Sequence, residues 1–142
     1  MIAIVDYGVG NLFSLSSSVK SLGAEVRVTR EAADLHAASH ILLPGVGAFG
    51  DAMAKLEATG LVPVIKKEVE TKPLLGICLG MQLLFDKSYE YGTHAGLGLI
   101  PGEVCPLADD LADPKLKVPH IGWNALDIVP GREADPLFKY VK

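Results

Sequence analysis

A buried strand that turns sharply into a helix is predicted by the segment KPLLGICLGMQLLF, residues 72–85. Within it, residues 73–77 form a short apolar run, and residues 79–85 are apolar at nearly every position, as in a central helix. Three more strand patterns precede helical patterns: residues 2–5 and 41–43 are apolar runs, and residues 25–29 alternate as in a strand. Strands that alternate with helices favour a parallel sheet covered on both faces, so we predict a doubly wound α/β fold.

Composition places the chain among ordinary globular proteins. Its 142 residues are 49% apolar and 21% charged, which suits one domain with a real core. A net charge of −4 without a basic cluster argues against nucleic acid as a partner, and no apolar run approaches the roughly 20 residues that cross a membrane. The N-terminus lacks a signal-peptide pattern, so we expect Cys78 and Cys105 to be free thiols in a cytoplasmic protein. An enzyme acting on a small molecule, or a binding domain, remains.

Cys78 occupies the bend of the opening segment, within Gly-Ile-Cys-Leu-Gly at residues 76–80. This is the cysteine form of the nucleophile elbow, in which flanking glycines avoid clashes as the strand reverses into the helix. The start of a helix favours thiolate, and the N–H of Leu79 is free to face an incoming carbonyl oxygen. We therefore predict that Cys78 is a nucleophile; the alternative is a small buried core residue. Cys105 lacks this context and is predicted to be structural.

A glycine-rich loop, PGVGAFG at residues 44–50, follows the third predicted strand. In a doubly wound sheet this loop lies beside the elbow, where its bare backbone N–H groups could supply a second oxyanion donor. Gly45, Gly47 and Gly50 also match the dinucleotide fingerprint G-x-G-x-x-G. That fingerprint belongs after the first strand of a unit, whereas this loop follows the third, so we favour the oxyanion interpretation. A plain tight turn is the third interpretation.

Gln82 lies one helical turn after Cys78, where its amide could bind a polar substrate or simply lie at the surface. A thiolate nucleophile also needs a base to carry protons. Four histidines are present, at positions 36, 40, 94 and 120. A carboxylate two residues after a histidine, in a strand that follows the elbow, would lie on the same face and could orient the ring. None of the four histidines has such a partner, so we interpret them as structural or interface residues. No cofactor site and no metal site is predicted.

Local signals also predict several boundaries. Asn11 and Asp51 are expected to begin helices as N-caps. Residues 89–102 are interpreted as a glycine-rich loop, and residues 118–128 as a bent or edge strand because of Pro119 and Gly122.

Five stretches together resemble the glutamine amidotransferase subunits of imidazole glycerol phosphate synthases, within the class I glutaminases. They are DYGVGNL (6–12), LPGVGAFGDAM (43–53), KPLLGICLGMQLLF (72–85), GLGLIPG (96–102) and KVPHIGWN (117–124). The resemblance runs along the whole chain in order. The elbow alone would indicate only the wider class I group, whereas the loop segment and KVPHIGWN are specific to this subunit.

The resemblance implies a flavodoxin-like glutaminase that hydrolyses L-glutamine to glutamate and ammonia. Cys78 would form a glutamyl thioester, and the N–H groups of Leu79, Val46 and Gly47 would form the oxyanion hole. Gly45 and Gln82 would help to bind glutamine. The implied partner is a separate (β/α)8-barrel cyclase subunit in a heterodimer, which uses the ammonia in histidine biosynthesis. His120, Trp123 and Asn124 would lie near that interface.

One feature departs from the family pattern. The histidine and glutamate of the family's catalytic triad come late, in a His-Pro-Glu type segment, and residues 1–142 contain no such segment. We therefore expect residues 1–142 to be a single class I glutaminase domain that lacks its C-terminal part and is inactive alone. A non-catalytic module that binds the partner and a dinucleotide-binding domain using residues 45–50 are kept as alternatives.

Overall fold

A computed structural model describes residues 1–111, 117–133, 135, 136 and 139. The chain divides into two compact units, Met1–Asp110 and Leu111–Lys142. The prediction of a single domain that lacks its C-terminal part stays a prediction.

The first unit opens with strands and helices in alternation. The elements are β1 (Ile2–Val5), α1 (Leu12–Ser21), β2 (Val26–Thr29), α2 (Ala32–Ala37), β3 (His40–Leu43), α3 (Phe49–Ala58), α4 (Val62–Glu68), β4 (Leu74–Gly76) and α5 (Leu79–Gln82). The four strands form one sheet in the order β2-β1-β3-β4, and every neighbouring pair is parallel. This is the order of flavodoxin-like sheets, and the predicted doubly wound α/β fold is confirmed.

Burial explains why β1 and most of β3 are continuous apolar runs. Ile4 and Val5 are neighbours in β1, so their side chains point to opposite faces of the sheet, yet both are fully buried. The sheet is thus covered on both sides at its centre, which removes the apolar–polar alternation of a half-exposed strand. Leu43, Phe49 and Leu56 are also fully buried and join the sheet to α3.

A second, smaller sheet corrects two sequence expectations. It comprises β5 (Phe85–Ser88), β6 (His94–Ala95) and β7 (Ile100–Val104), in the order β6-β5-β7. The expected helix over residues 79–85 therefore ends at Gln82, and the expected loop over residues 89–102 contains β6 and the start of β7. Backbone carbonyls of Leu83 and Leu84 accept hydrogen bonds from Leu97 and Leu99, so long-range pairing overrides the helical apolar pattern.

The helix starts show one local and one long-range cap. Asn11 caps α1 as predicted, since its side chain accepts a hydrogen bond of 3.1 Å from Ser14 N. The prediction for Asp51 is wrong, because α3 begins at Phe49 and Asp51 lies in its first turn. The Phe49 N–H instead donates to the carboxylate of Glu90, 41 residues away in sequence, at 2.7 Å. A partner so distant leaves no local signal.

The strand predicted at residues 118–128 is also wrong. Residues 117–133 contain no strand, although many of them are apolar and exposed. An extended segment becomes a strand only when its backbone groups pair with a neighbour, and no residue described in this segment has such a pairing. In the described part of the chain, no helix has the length and apolar character needed to cross a membrane.

Candidate functional site

Cys78 lies at a strained bend between β4 and α5. Its φ is 55° and its ψ is −120°, a combination that favours glycine, yet the residue carries a side chain. The turn is closed on both sides of the cysteine, because Gly80 N donates to Ile77 O at 3.0 Å and Met81 N donates to Cys78 O at 2.9 Å. The thiol is free and exposed, so the interpretation of Cys78 as a core residue does not fit the structure.

The glycines on either side of Cys78 are required by steric contact. A Cβ atom on Gly76 would lie 2.5 Å from Met81 Cα, and one on Gly80 would overlap the carbonyl oxygen of Leu43. Both obstacles are backbone atoms, which no rotamer change can move. A side chain at either position would therefore push the strand and the helix apart.

The glycine-rich loop after β3 touches the elbow. Gly45 is buried, and a Cβ atom on it would lie 2.5 Å from Gly80 N and 3.0 Å from the carbonyl carbon of Leu79. Ile77 N also donates to Leu43 O at 3.0 Å. The ends of two neighbouring parallel strands thus bring together the two segments in which the oxyanion donors were predicted.

The predicted donors occupy suitable backbone. Leu79 is the first residue of α5, and the N–H of a first helical residue has no carbonyl partner within its helix. Val46 is 57% exposed, and Gly47 has a φ of 93° that suits glycine. Val46 and Gly47 line a cavity of about 220 Å³ together with Gly8 and Gly10 of the β1–α1 loop. Cys78 does not line this cavity.

Gln82 is the last residue of α5 and is half-buried. Its backbone N–H donates to Cys78 O at 3.2 Å, so Gln82 follows Cys78 by one turn, as the spacing predicts. Its predicted role in binding glutamine stays a prediction.

The histidines are engaged elsewhere in the described part of the chain. His36 Nδ1 lies 2.6 Å from Glu68 Oε1, His40 Nδ1 lies 3.1 Å from Ser39 Oγ, and the His94 ring lies against Gly50. His120 Nε2 lies 2.7 Å from Asn124 Nδ2.

Lys72 and His36 hold the pKa of the Glu68 carboxyl below its usual value, so that cluster ties α2 to α4.

Two polar contacts at the loop escaped sequence analysis. Tyr7 Oη donates to Pro44 O at 2.6 Å, and burial raises the pKa of Tyr7 to about 12. The Glu90 carboxylate accepts the Phe49 N–H at the other end of the loop. Both partners are far apart in sequence, so neither spacing nor a motif could have found them.

The contact to Glu90 bears on the dinucleotide alternative. A dinucleotide would place its pyrophosphate at the N-terminus of the helix that follows the glycine loop. That helix is α3, and the Glu90 carboxylate already accepts its first N–H. A negative charge there repels phosphate, so the geometry disfavours this alternative.

The three residues predicted at a partner interface lie in the second unit. His120 and Asn124 are exposed and contact each other, and Trp123 between them is fully exposed. Within the described residues, no cluster of three or more His, Cys, Asp or Glu side chains could hold a metal ion.

Comparisons with known proteins agree with this geometry. The model of the family "Glutamine amidotransferase class-I" matches residues 3–126. A protein of Syntrophotalea carbinolica is 49% identical over 131 residues, covering 90% of this chain and 64% of that protein. One of Lacticaseibacillus casei is 53% identical over 125 residues, covering 87% and 59%. Both are named "Imidazole glycerol phosphate synthase subunit HisH".

A solved structure supports the fold. It is titled "Crystal structure of glutamine amidotransferase", has a TM-score of 0.65 at 22% identity, and covers 79% of this chain and 60% of its own. The present chain spans about three fifths of the length of the curated relatives that it matches. Because the family model covers most of the chain, the chain belongs to the class-I glutamine amidotransferase family.

Proposed function

We propose that this chain is the glutaminase part of an imidazole glycerol phosphate synthase and uses Cys78 to attack the side-chain amide of L-glutamine. The observation that carries the proposal is the exposed Cys78 at a strained bend, directly followed by Leu79 and Gly80, whose backbone lies against Gly45 of the glycine-rich loop. The names of the relatives, which are about half identical to this chain, supply the pathway.

The chemistry proceeds by a thioester. The Cys78 thiolate forms a bond to the amide carbon, and the carbonyl electron pair moves onto oxygen, where the N–H groups of Leu79, Val46 and Gly47 stabilise the charge. The carbon–nitrogen bond then breaks, and the nitrogen takes a proton and leaves as ammonia. Water next attacks the thioester, which releases glutamate and returns the sulfur as a thiolate.

The proton transfers require a general base and acid. We place these functions on a histidine and a glutamate outside residues 1–142, since each described histidine has another neighbour and a hydrogen bond to Cys78 is found for none of them. Residues 1–142 alone are then expected to release ammonia barely or not at all. Positioned acid–base groups contribute a factor of roughly 10²–10⁴.

The partner in this proposal is a (β/α)8-barrel cyclase that consumes the ammonia. His120, Trp123 and Asn124 are proposed to contact it, because an exposed tryptophan gives a large apolar contact area at an interface. We place the complex in the cytoplasm, where the two free cysteines remain reduced.

Protection of the thiol tests substrate binding without requiring turnover. Glutamine is expected to slow alkylation of Cys78 by iodoacetamide, whereas asparagine leaves it unchanged. Cys105, also exposed, is the internal control and keeps its rate with either amino acid. Equal alkylation of Cys78 with and without glutamine contradicts the proposal.

Two assays separate the proposal from the non-catalytic alternative. Ammonia release that is lost in Cys78→Ala would mean that a base lies within the 142 residues and that our placement of the triad is wrong. Binding to the cyclase without any protection of Cys78 by glutamine would favour a module that only binds the partner.

A further inference from the structure

The loop that carries the proposed oxyanion donors is held by a hydroxyl from another strand. Tyr7 lies two residues after the end of β1, and Pro44 directly follows the end of β3. The Tyr7 ring is 3% exposed, and its hydroxyl donates a buried hydrogen bond of 2.6 Å to the Pro44 carbonyl. A bond this short between neutral groups, away from water, fixes the carbonyl direction.

The Pro44–Gly45 peptide is also enclosed by backbone on two sides. On one side, a Cβ atom on Gly10 would lie 3.0 Å from Pro44 Cβ and 3.7 Å from Gly45 N. On the other side, Gly45 lies against the backbone of Leu79 and Gly80. The peptide is therefore packed between the β1–α1 loop and the elbow.

The far end of the loop is fixed as well, and its middle is exposed. Phe49 N donates to Glu90 at 2.7 Å. Between the two anchors, Val46 and Gly47 are exposed, and Gly47 has a positive φ. A short segment held at both ends has few conformations left, so the anchors decide where its N–H groups point.

We propose that Tyr7 is a positioning residue: its hydroxyl fixes the plane of the Pro44–Gly45 peptide and thereby sets how the N–H groups of Val46 and Gly47 are oriented relative to Cys78. This inference rests on the proposed function and assigns no chemical step to Tyr7. Because a peptide unit is planar, fixing its carbonyl also fixes its N–H and the start of the next residue.

Loss of the hydroxyl leaves the ring in place but removes the partner of a buried carbonyl. The carbonyl then turns towards water or another donor, and the peptide rotates with it. Oxyanion stabilisation depends on donors that are already oriented before the reaction, so a loop that samples several orientations stabilises the oxyanion less.

Amide hydrogen exchange tests the positioning without any turnover. In Tyr7→Phe, the buried backbone amide of Gly45, which lies in the peptide whose carbonyl Tyr7 holds, is expected to exchange roughly tenfold faster, the size that follows from losing one hydrogen bond. Exchange in α1 and β2 remains as in the wild type. Tyr91→Phe is the matched control, because Tyr91 is 91% exposed and its hydroxyl deletion leaves the loop unchanged. Unchanged exchange of the Gly45 amide in Tyr7→Phe overturns the proposal.

Two alkylating agents test the link to the oxyanion. In a glutamine-like chloroketone, the ketone oxygen takes the place of the amide oxygen, sulfur forms the new carbon bond and chloride leaves. Iodoacetamide alkylates the same thiol without needing the oxyanion donors. The ratio of the two rate constants at Cys78 is expected to fall about tenfold in Tyr7→Phe, below the roughly 10²–10³ that loss of a donor itself costs. General damage slows both reagents alike and leaves the ratio unchanged.

The outcomes separate this inference from the proposed function. Faster exchange with an unchanged ratio overturns the role of Tyr7 in placing the donors. A wild-type Cys78 that shows no preference for the chloroketone contradicts the glutaminase proposal, while the exchange result still decides whether Tyr7 holds the loop. If Tyr7→Phe does not fold, the wild-type protein decides by the exchange rate of the Tyr7 hydroxyl proton, measured by NMR. A hydroxyl held on a buried carbonyl is expected to exchange far more slowly than the hydroxyl of exposed Tyr91, and equal rates for the two hydroxyls overturn the proposal.

Discussion

The elbow and the segment 117–133 contain similar residues in very different surroundings. Around Cys78, the glycines at 45, 76 and 80 each lie where a Cβ atom would strike another backbone segment. In the other segment, a Cβ atom on Gly122 would meet nothing within 4 Å, and Trp123 is fully exposed. Packing therefore requires a glycine where two backbone segments converge, as they do at the carboxyl edge of the parallel sheet.

The largest contrast in stability is expected between two substitutions that each remove an aromatic side chain. Phe49→Ala removes a fully buried ring from the core and should lower the free energy of unfolding by about 3–5 kcal/mol. Trp123→Ala removes a fully exposed ring and should change it by less than about 0.5 kcal/mol. Urea unfolding of both variants measures this difference. A strong loss in Trp123→Ala would show that segment 117–133 is packed.

The same glycine substitution in both regions gives the next largest contrast. Gly80→Ala forces a methyl group onto the Leu43 carbonyl and should cost about 3 kcal/mol or more. Gly122→Ala has open space and should be close to neutral. Thermal unfolding reports both, and equal melting temperatures would contradict the close contact of β3 with the elbow.

A smaller effect is expected from the strain at Cys78. Because its φ of 55° suits glycine, Cys78→Gly should be about 1 kcal/mol more stable than Cys78→Ala, although both lack the thiol. Cys105 shows no positive φ, so Cys105→Gly should be less stable than Cys105→Ala. Chemical denaturation of the four variants compares the two sites. The same order at both sites would argue against strain at the elbow.

The smallest effect concerns acid stability. Lys72 and His36 lower the pKa of Glu68 in the folded state below its usual 4.5. The stabilisation by this ionised group is therefore present above pH 4.5 and is lost as the pH falls through the lower folded pKa. In Glu68→Gln, the urea concentration at the unfolding midpoint should therefore fall less than in the wild type as the pH is lowered. Glu70→Gln, which removes an exposed ion pair with Lys67, should keep the wild-type dependence of the urea midpoint on acid pH.

The core of this comparison was predictable from the sequence because its signals are local. A strand, a glycine two residues before and after Cys78, and a following apolar helix occupy consecutive positions, so residue spacing alone predicts the bend. Parallel strands end at one edge, which also predicts that residues 45–47 meet the elbow.

Features made by distant residues were not predictable. Glu90 replaces the expected Asp51 cap from 41 positions away, and Tyr7 reaches Pro44 from 37 positions away. Residues 83–85 are all apolar, which suits a helix or a strand, and only their pairing with later residues decides between the two. The segment 118–128 has strand-like residues but no described pairing partner, so local preference alone produced a wrong prediction.

The most direct test of the central claim is the site at which a glutamine-like chloroketone reacts, located by peptide mass spectrometry. We expect the chloroketone to alkylate Cys78 far faster than Cys105, with excess glutamine slowing only the reaction at Cys78. Equal alkylation of the two exposed thiols, unaffected by glutamine, would show that the bend presents a cysteine without a substrate site around it.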